Sequence, residues 1–427
     1  NCYYAPRSFG GATIVAEELN DRLQNGGDFD VHVLTTHAES TTFAYNIRRY
    51  CVDGINIYGV GVPGRVEPLT QFDNPDFTRA FEEVIAAVNP DVVHLHSIQG
   101  MGVGIIDVCI MRNIKYVITL HDAWWVCGRQ FLINKEEKYC GQVKINPSIC
   151  ARCVDDAQLN DYRNDRLAQA LYGAAALLAP SQYFANFYVG NGFPSVVVNK
   201  NGIVPPRALS RIKSSDKLRF AYVGGNTKIK GVHLIKNAFS GLHGNVAELV
   251  VVDNALNLGF SSYTNEELKS ISSVQIVPAY NQFNIDEFFA SIDVLLLPTQ
   301  CIESFGLAAR EASARNVWVI ATDSGGLVED IEDGGNGIII PLNDDGTQLR
   351  RAILDTIDFY KKIPTGASIN LTHKNAITTF DEQAQELSQI LKSIRPEHTP
   401  NDSEPLYGYA KQTNEKSPRQ FKIEVLD

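Results

Sequence analysis

A chain of 427 residues exceeds one ordinary hydrophobic core, so two large domains are expected. Its net charge of −11 excludes the basic face that a phosphate backbone requires, and no nucleic-acid partner is expected. No apolar run approaches the roughly 18 residues of a membrane helix, and no charged-then-apolar leader is visible, so the chain reads as non-spanning and not visibly secreted.

Residues 1–6 read as the exit of a strand whose body would precede Asn1, which predicts a first domain lacking its first strand. Gly10 and Gly11 form a turn ahead of a helix carrying Val15, Leu19 and Leu23. Apolar runs at 31–35, 92–96, 116–120, 177–179 and 196–199 predict strands in the first half. Runs at 218–223, 248–252, 274–277, 294–297, 317–321 and 337–340 predict them in the second. Continuous Val/Ile/Leu strands alternating with helix-length segments indicate parallel sheets covered on both faces. The fold class is therefore α/β, with two doubly wound Rossmann-like domains.

Pro205 and Pro206 can continue neither a helix nor a central strand, which places the seam at 203 and 204. The domains are expected at 1–203 and 204–370. A helix within 371–394, able to pack on either domain, and a polar, proline-containing tail or linker over 395–427 follow.

Cys127, Cys140, Cys150 and Cys153 fall in one polar insertion, 127–153, with Cys150 and Cys153 forming a CxxC. Four thiolates can hold a structural zinc ion, and buried thiols or disulfides are the alternatives. No catalytic metal is expected there.

The chemistry concentrates after the strand at 294–297. Glu303, Ser304, Phe305, Gly306 and Leu307 lead into a helix containing Glu311. Free amides and the positive end of the dipole at that helix start favour a diphosphate, and Gly306 permits close backbone approach. Glu303 and Glu311 lie about two turns apart, roughly 10 Å, and could bracket an extended ligand, accepting bonds from sugar and ribose hydroxyls.

A Glu, seven residues and a second Glu, with Phe-Gly close behind the first, resembles the signature of retaining glycosyltransferase family 4, of the bacterial surface-polysaccharide type. The likeness runs from about residue 1 to 394 and implies the GT-B fold, with the two domains facing each other across a cleft, 1–203 on the acceptor side and 204–370 on the donor side. It implies that Gly10 and Gly11 lie near the donor's phosphates and that His121 touches the donor sugar. His96 and Asp122 are assigned to the acceptor side. Gly224, Gly225, Asn226 and Lys228 resemble the phosphate-binding turn, and Lys230 is expected to be the cation that neutralises the leaving diphosphate. Most relatives carry an Arg where Gly225 and Asn226 stand; either Lys228 supplies the second charge, or Lys230 and backbone amides act without it.

The resemblance implies sugar transfer from a nucleoside diphosphate sugar to a carbohydrate or lipid-linked sugar hydroxyl, in polysaccharide or lipopolysaccharide synthesis. Its location is expected to be cytoplasmic, at the inner face of the membrane, with a peripheral membrane contact left open. A non-catalytic nucleotide-sugar-binding module and a GT-B sugar-nucleotide epimerase are the rival readings.

Overall fold

The computed structural model describes residues 1–8, 10–64, 67–207, 211–372, 375–394 and 423–425. Its six-stranded sheet is entirely parallel, in the spatial order Val274–Pro278, Ala247–Asp253, Leu218–Val223, Val294–Leu297, Trp318–Thr322, Gly337–Ile340. The three strands earliest in the chain thus run backwards from Leu218–Val223 and the later three forwards, the doubly wound arrangement.

Alternate residues of each strand face opposite sides. Phe220, Tyr222, Leu249, Val251, Leu296 and Ile320 pack with the helices Val232–Phe239 and Thr347–Lys361. Ala221, Val250, Leu295, Val319 and Ala321 pack with Ile285–Ala290 and Leu307–Ala314. Burial on both faces is why these strands read as unbroken apolar runs.

A four-stranded sheet runs in the order Val92–Leu95, Lys115–Thr119, Ala176–Ala179, Val196–Val198. A third sheet is mixed. His32–Glu39 pairs in parallel with Ile55–Pro63, which pairs antiparallel with Ile47–Val52, and Ile423–Val425 adds in parallel at the edge. The hairpin over 47–63 was not among the expected strands. Asp53 and Gly54 both take positive φ, 49° and 83°, the geometry an Asp-Gly hairpin turn supplies.

The chain divides into two compact units, residues 1–119 with 169–177 and 384–427, and residues 120–168 with 178–383. The positions expected as a seam, 203 and 204, lie within the second unit. There the Ile203 amide donates to the Thr378 carbonyl at 3.0 Å. The last helix, Phe380–Ile394, opens on a capping box: Thr379 Oγ1 accepts from the Glu382 amide at 3.2 Å, and Glu382 Oε2 accepts from the Thr379 amide at 2.7 Å. The expected tail, 395–427, lies outside the described residues apart from Ile423–Val425, a strand its polar composition did not suggest. Among the described residues, no helix is long and apolar enough to cross a membrane.

Candidate active site at the switch point

Strand order reverses between Leu218–Val223 and Val294–Leu297, and ligands of doubly wound sheets bind outside the carboxyl ends of strands at such a point. The loops that leave these two strands are 224–231 and 298–306. Tyr222 ties the first loop down, donating its hydroxyl to the Gly225 carbonyl at 2.8 Å. Gly231 takes φ 81°, and a side chain there would collide with the Pro298 carbonyl, so the loops meet backbone to backbone. The Gln300 amide donates to the Ile229 carbonyl at 2.6 Å across the same contact.

These loops bring Lys230 and Glu303, 73 positions apart, into an ion pair of 2.5 Å between Nζ and Oε1. Thr299 Oγ1 lies 3.0 Å from the same carboxylate oxygen. The Glu303 backbone is clamped as well: its amide donates to Ser324 Oγ at 3.1 Å, and its carbonyl accepts from the Gly326 amide at 2.9 Å. Burial opposes the Lys230 ammonium, but Glu303 beside it outweighs that and holds its pKa above the ordinary lysine range. Burial, with Glu303 nearby, pushes the Cys301 thiol up to about 12, so it is a neutral thiol at physiological pH.

Gly306, at φ 82°, opens the helix Leu307–Ala314. The Ser304 carbonyl accepts from the Ser181 hydroxyl at 2.6 Å, and Phe305 is buried under the Arg310 guanidinium, 4.1 Å from its ring centroid. Arg310 also donates to the carbonyls of Phe305, of Gly326 at 2.7 Å and of Leu327 at 3.0 Å, and pairs with Asp330 at 2.7 Å. This buried guanidinium fixes the turn before the helix, so Leu307 and its neighbours present their first-turn amides from a rigid base. Glu311 is 2% exposed and accepts from the Tyr280 hydroxyl at 2.7 Å. The Tyr280 ring stacks on Phe288 with centroids 4.5 Å apart.

The remaining expected residues divide between the two units. Gly224, Gly225 and Asn226 lie in the first loop, with Asn226 Nδ2 donating to the Ser262 carbonyl at 2.6 Å. Lys228 is mostly exposed and pairs loosely with Glu137 at 3.9 Å. His121 belongs to the second unit, and burial pushes its imidazole down to about 4, which keeps it neutral at physiological pH. The Asp122 carboxylate accepts from the Trp124 amide at 2.8 Å and from Gln130 Nε2 at 2.6 Å, bonds that shape the following turn. Gly10, Gly11 and His96 lie in the first unit. Gly10 caps the helix Gly11–Asn25 at φ 82°, and the His96 ring lies 4.2 Å from that of His94. Sequence reasoning missed Thr299 and Ser324; their signal was a polar residue just beyond the carboxyl end of a buried strand.

All four cysteines of the insertion are free thiols. Gln142 Nε2 stands between two of them, 3.9 Å from Cys140 Sγ and 3.6 Å from Cys150 Sγ, and burial pushes Cys127 up to about 11. Among the described residues no group of three or more His, Cys, Asp or Glu is disposed to hold a metal ion, so the cysteines as placed do not fit the zinc their spacing suggested.

A doubly wound sheet with a cation, a carboxylate and a helix start at its switch point defines a Rossmann-like protein. Residues 9–207 match the family model "Glycosyltransferase Family 4", and residues 210–362 match "Glycosyl transferases group 1". The fold resembles sucrose-phosphate synthase from Thermosynechococcus elongatus, with TM-score 0.65 and 16% identity, covering 92% of this chain and 95% of that one. It also resembles HepE from Anabaena in complex with UDP and glucose, with TM-score 0.59 and 16% identity over 90% and 96% of the two chains. A D-inositol 3-phosphate glycosyltransferase from Mycolicibacterium vanbaalenii is 33% identical over 98 residues, 23% of this chain and 20% of the relative. The match thus spans about a fifth of that curated relative's length. The chain belongs to the family 4 type of glycosyltransferases, with the GT-B fold.

Proposed function

We propose that this protein transfers a sugar from a nucleoside diphosphate sugar to a hydroxyl of a carbohydrate or lipid-linked sugar, with retention at the anomeric carbon. The observation that carries the reading is the Lys230–Glu303 pair, held at 2.5 Å beside a helix start at the sheet's switch point. Lys230 and the first-turn amides stabilise the departing diphosphate, where negative charge develops. Glu303 accepts hydrogen bonds from the donor sugar's hydroxyls, and neutral His121 contacts the sugar. The bond from the anomeric carbon to the phosphate oxygen breaks while the bond to the acceptor oxygen forms on the same face. The acceptor's proton passes to the leaving phosphate oxygen, so the scheme uses no protein nucleophile and no catalytic metal. Surface polysaccharide or lipopolysaccharide is the acceptor class this reading favours, built at the inner face of the cytoplasmic membrane.

The test is turnover of a panel of nucleoside diphosphate sugars, with inositol phosphates and oligosaccharides as acceptors. Wild-type turnover with retained anomeric configuration by proton NMR, lost in Glu303→Ala, supports the reading. Tight donor binding without turnover would identify a binding module instead. Isomerised sugar nucleotide formed without an acceptor would identify an epimerase.

A further inference from the structure

We infer that Thr299 is a positioning residue for Glu303, and that its hydroxyl takes over the carboxylate when Lys230 turns to the donor's diphosphate. The inference rests on the donor role proposed above for Lys230 and Glu303.

Thr299 is 4% exposed, and its carbonyl accepts from the Thr322 hydroxyl at 2.7 Å. Its hydroxyl carries one proton and has two acceptors in reach: Glu303 Oε1 at 3.0 Å and the Ile229 carbonyl at 3.1 Å. Lys230 follows Ile229 directly and already donates to Glu303 Oε1. One ammonium cannot serve that oxygen and a diphosphate equally well. As Lys230 moves to the phosphates, Glu303 Oε1 becomes a charged acceptor with Thr299 beside it, and a hydrogen bond to a charged acceptor is stronger than one to a neutral carbonyl. The proton therefore settles on Glu303 and keeps the carboxylate aimed at the sugar. Cys301 Sγ lies 3.4 Å from Thr299 Oγ1 and 4.0 Å from Glu303 Oε1, so its thiol is in reach of both oxygens.

Thr299→Val removes the hydroxyl with little change of shape. It is expected to lower kcat about ten-fold or more, the loss typical of a deleted hydrogen bond to a charged group. Donor KM should change little, because phosphate contacts hold the ground state. Thr299→Ser should restore most of the rate, and Thr299→Val should add little to the defect of Glu303→Gln, as expected for residues acting through one group. Thr299→Ala gives the same comparison should the valine variant fold poorly. An active wild type whose kcat survives both hydroxyl deletions, or a Thr299→Ser variant as slow as Thr299→Val, overturns the inference alone. A wild type inert toward every nucleotide sugar overturns the function reading and this inference with it.

Discussion

Lys230 and Glu303 are each a charge that the fold would not hold alone in a half-buried loop. Side by side at 2.5 Å they sustain one another, which is why the lysine stays protonated against burial. Replacing Lys230 by Met removes the cation at the leaving group and leaves Glu303 without it. Activity is expected to fall about 10²–10³-fold in kcat, measured at saturating donor, with Lys230→Arg retaining part of it. His121 makes a different prediction. Its folded pKa, about 4, lies below the unfolded value near 6.5, so between those values the unfolded chain binds more protons. Stability should therefore fall as pH drops from about 6.5 toward 4, and urea midpoints of His121→Asn should show a shallower fall over that window. His121 was legible in the sequence because it stands at the carboxyl end of an apolar strand, and Lys230 through the resemblance carried by its turn. Thr299 and Ser324 were not, because their value lies in reaching Glu303 across a loop or from the next strand.

Loops and helix starts decide the geometry at the next scale. Gly231 caps the helix Val232–Phe239 in the left-handed region while its Cα lies against the Pro298 carbonyl. Gly231→Ala combines backbone strain with a collision that neither loop can relieve by moving a side chain. A loss of about 1–3 kcal/mol is expected by urea denaturation, together with weakened donor binding. The six strands of the large sheet were readable to within a residue or two, since two-sided burial leaves no polar alternation to confuse the pattern. The hairpin over 47–63 escaped because one of its strands, Ile47–Val52, carries the adjacent pair Arg48 and Arg49, which breaks the strand alternation and reads as a polar loop. Its Asp53-Gly54 turn was the available signal.

For the whole molecule, Gln383 is the residue through which the last helix grips residues distant in sequence. It is 1% exposed, donates to Asn201 Oδ1 at 3.1 Å and to Asn199 Oδ1 at 3.3 Å, and accepts from the Gly202 amide at 2.8 Å. Gln383→Leu strands several buried polar groups at once. With about 1–3 kcal/mol for each group left unsatisfied, it should lower the urea midpoint clearly, while a surface change such as Lys361→Ala should not. Nucleotide binding acts on the same balance in the opposite direction. A nucleoside diphosphate at about 100 times its Kd should stabilise the protein by about 2.7 kcal/mol, read as a thermal shift that Lys230→Met diminishes.

The sequence by itself determined the α/β class, the strand runs and the residue types at the site, because strand burial and helix starts leave local patterns along the chain. The tertiary structure decided which of those residues meet. Lys230 lies against Glu303, whereas Lys228, two positions earlier, lies in solvent near Glu137. Glu311, which local spacing marked as a second ligand carboxylate, is buried against Tyr280. Gln142 Nε2 lies against two of the four cysteines, Cys140 and Cys150, and among the described residues no three ligating side chains come together to hold a metal ion. Such pairings depend on how loops from separate strands close over one another, and spacing along a chain carries no record of that.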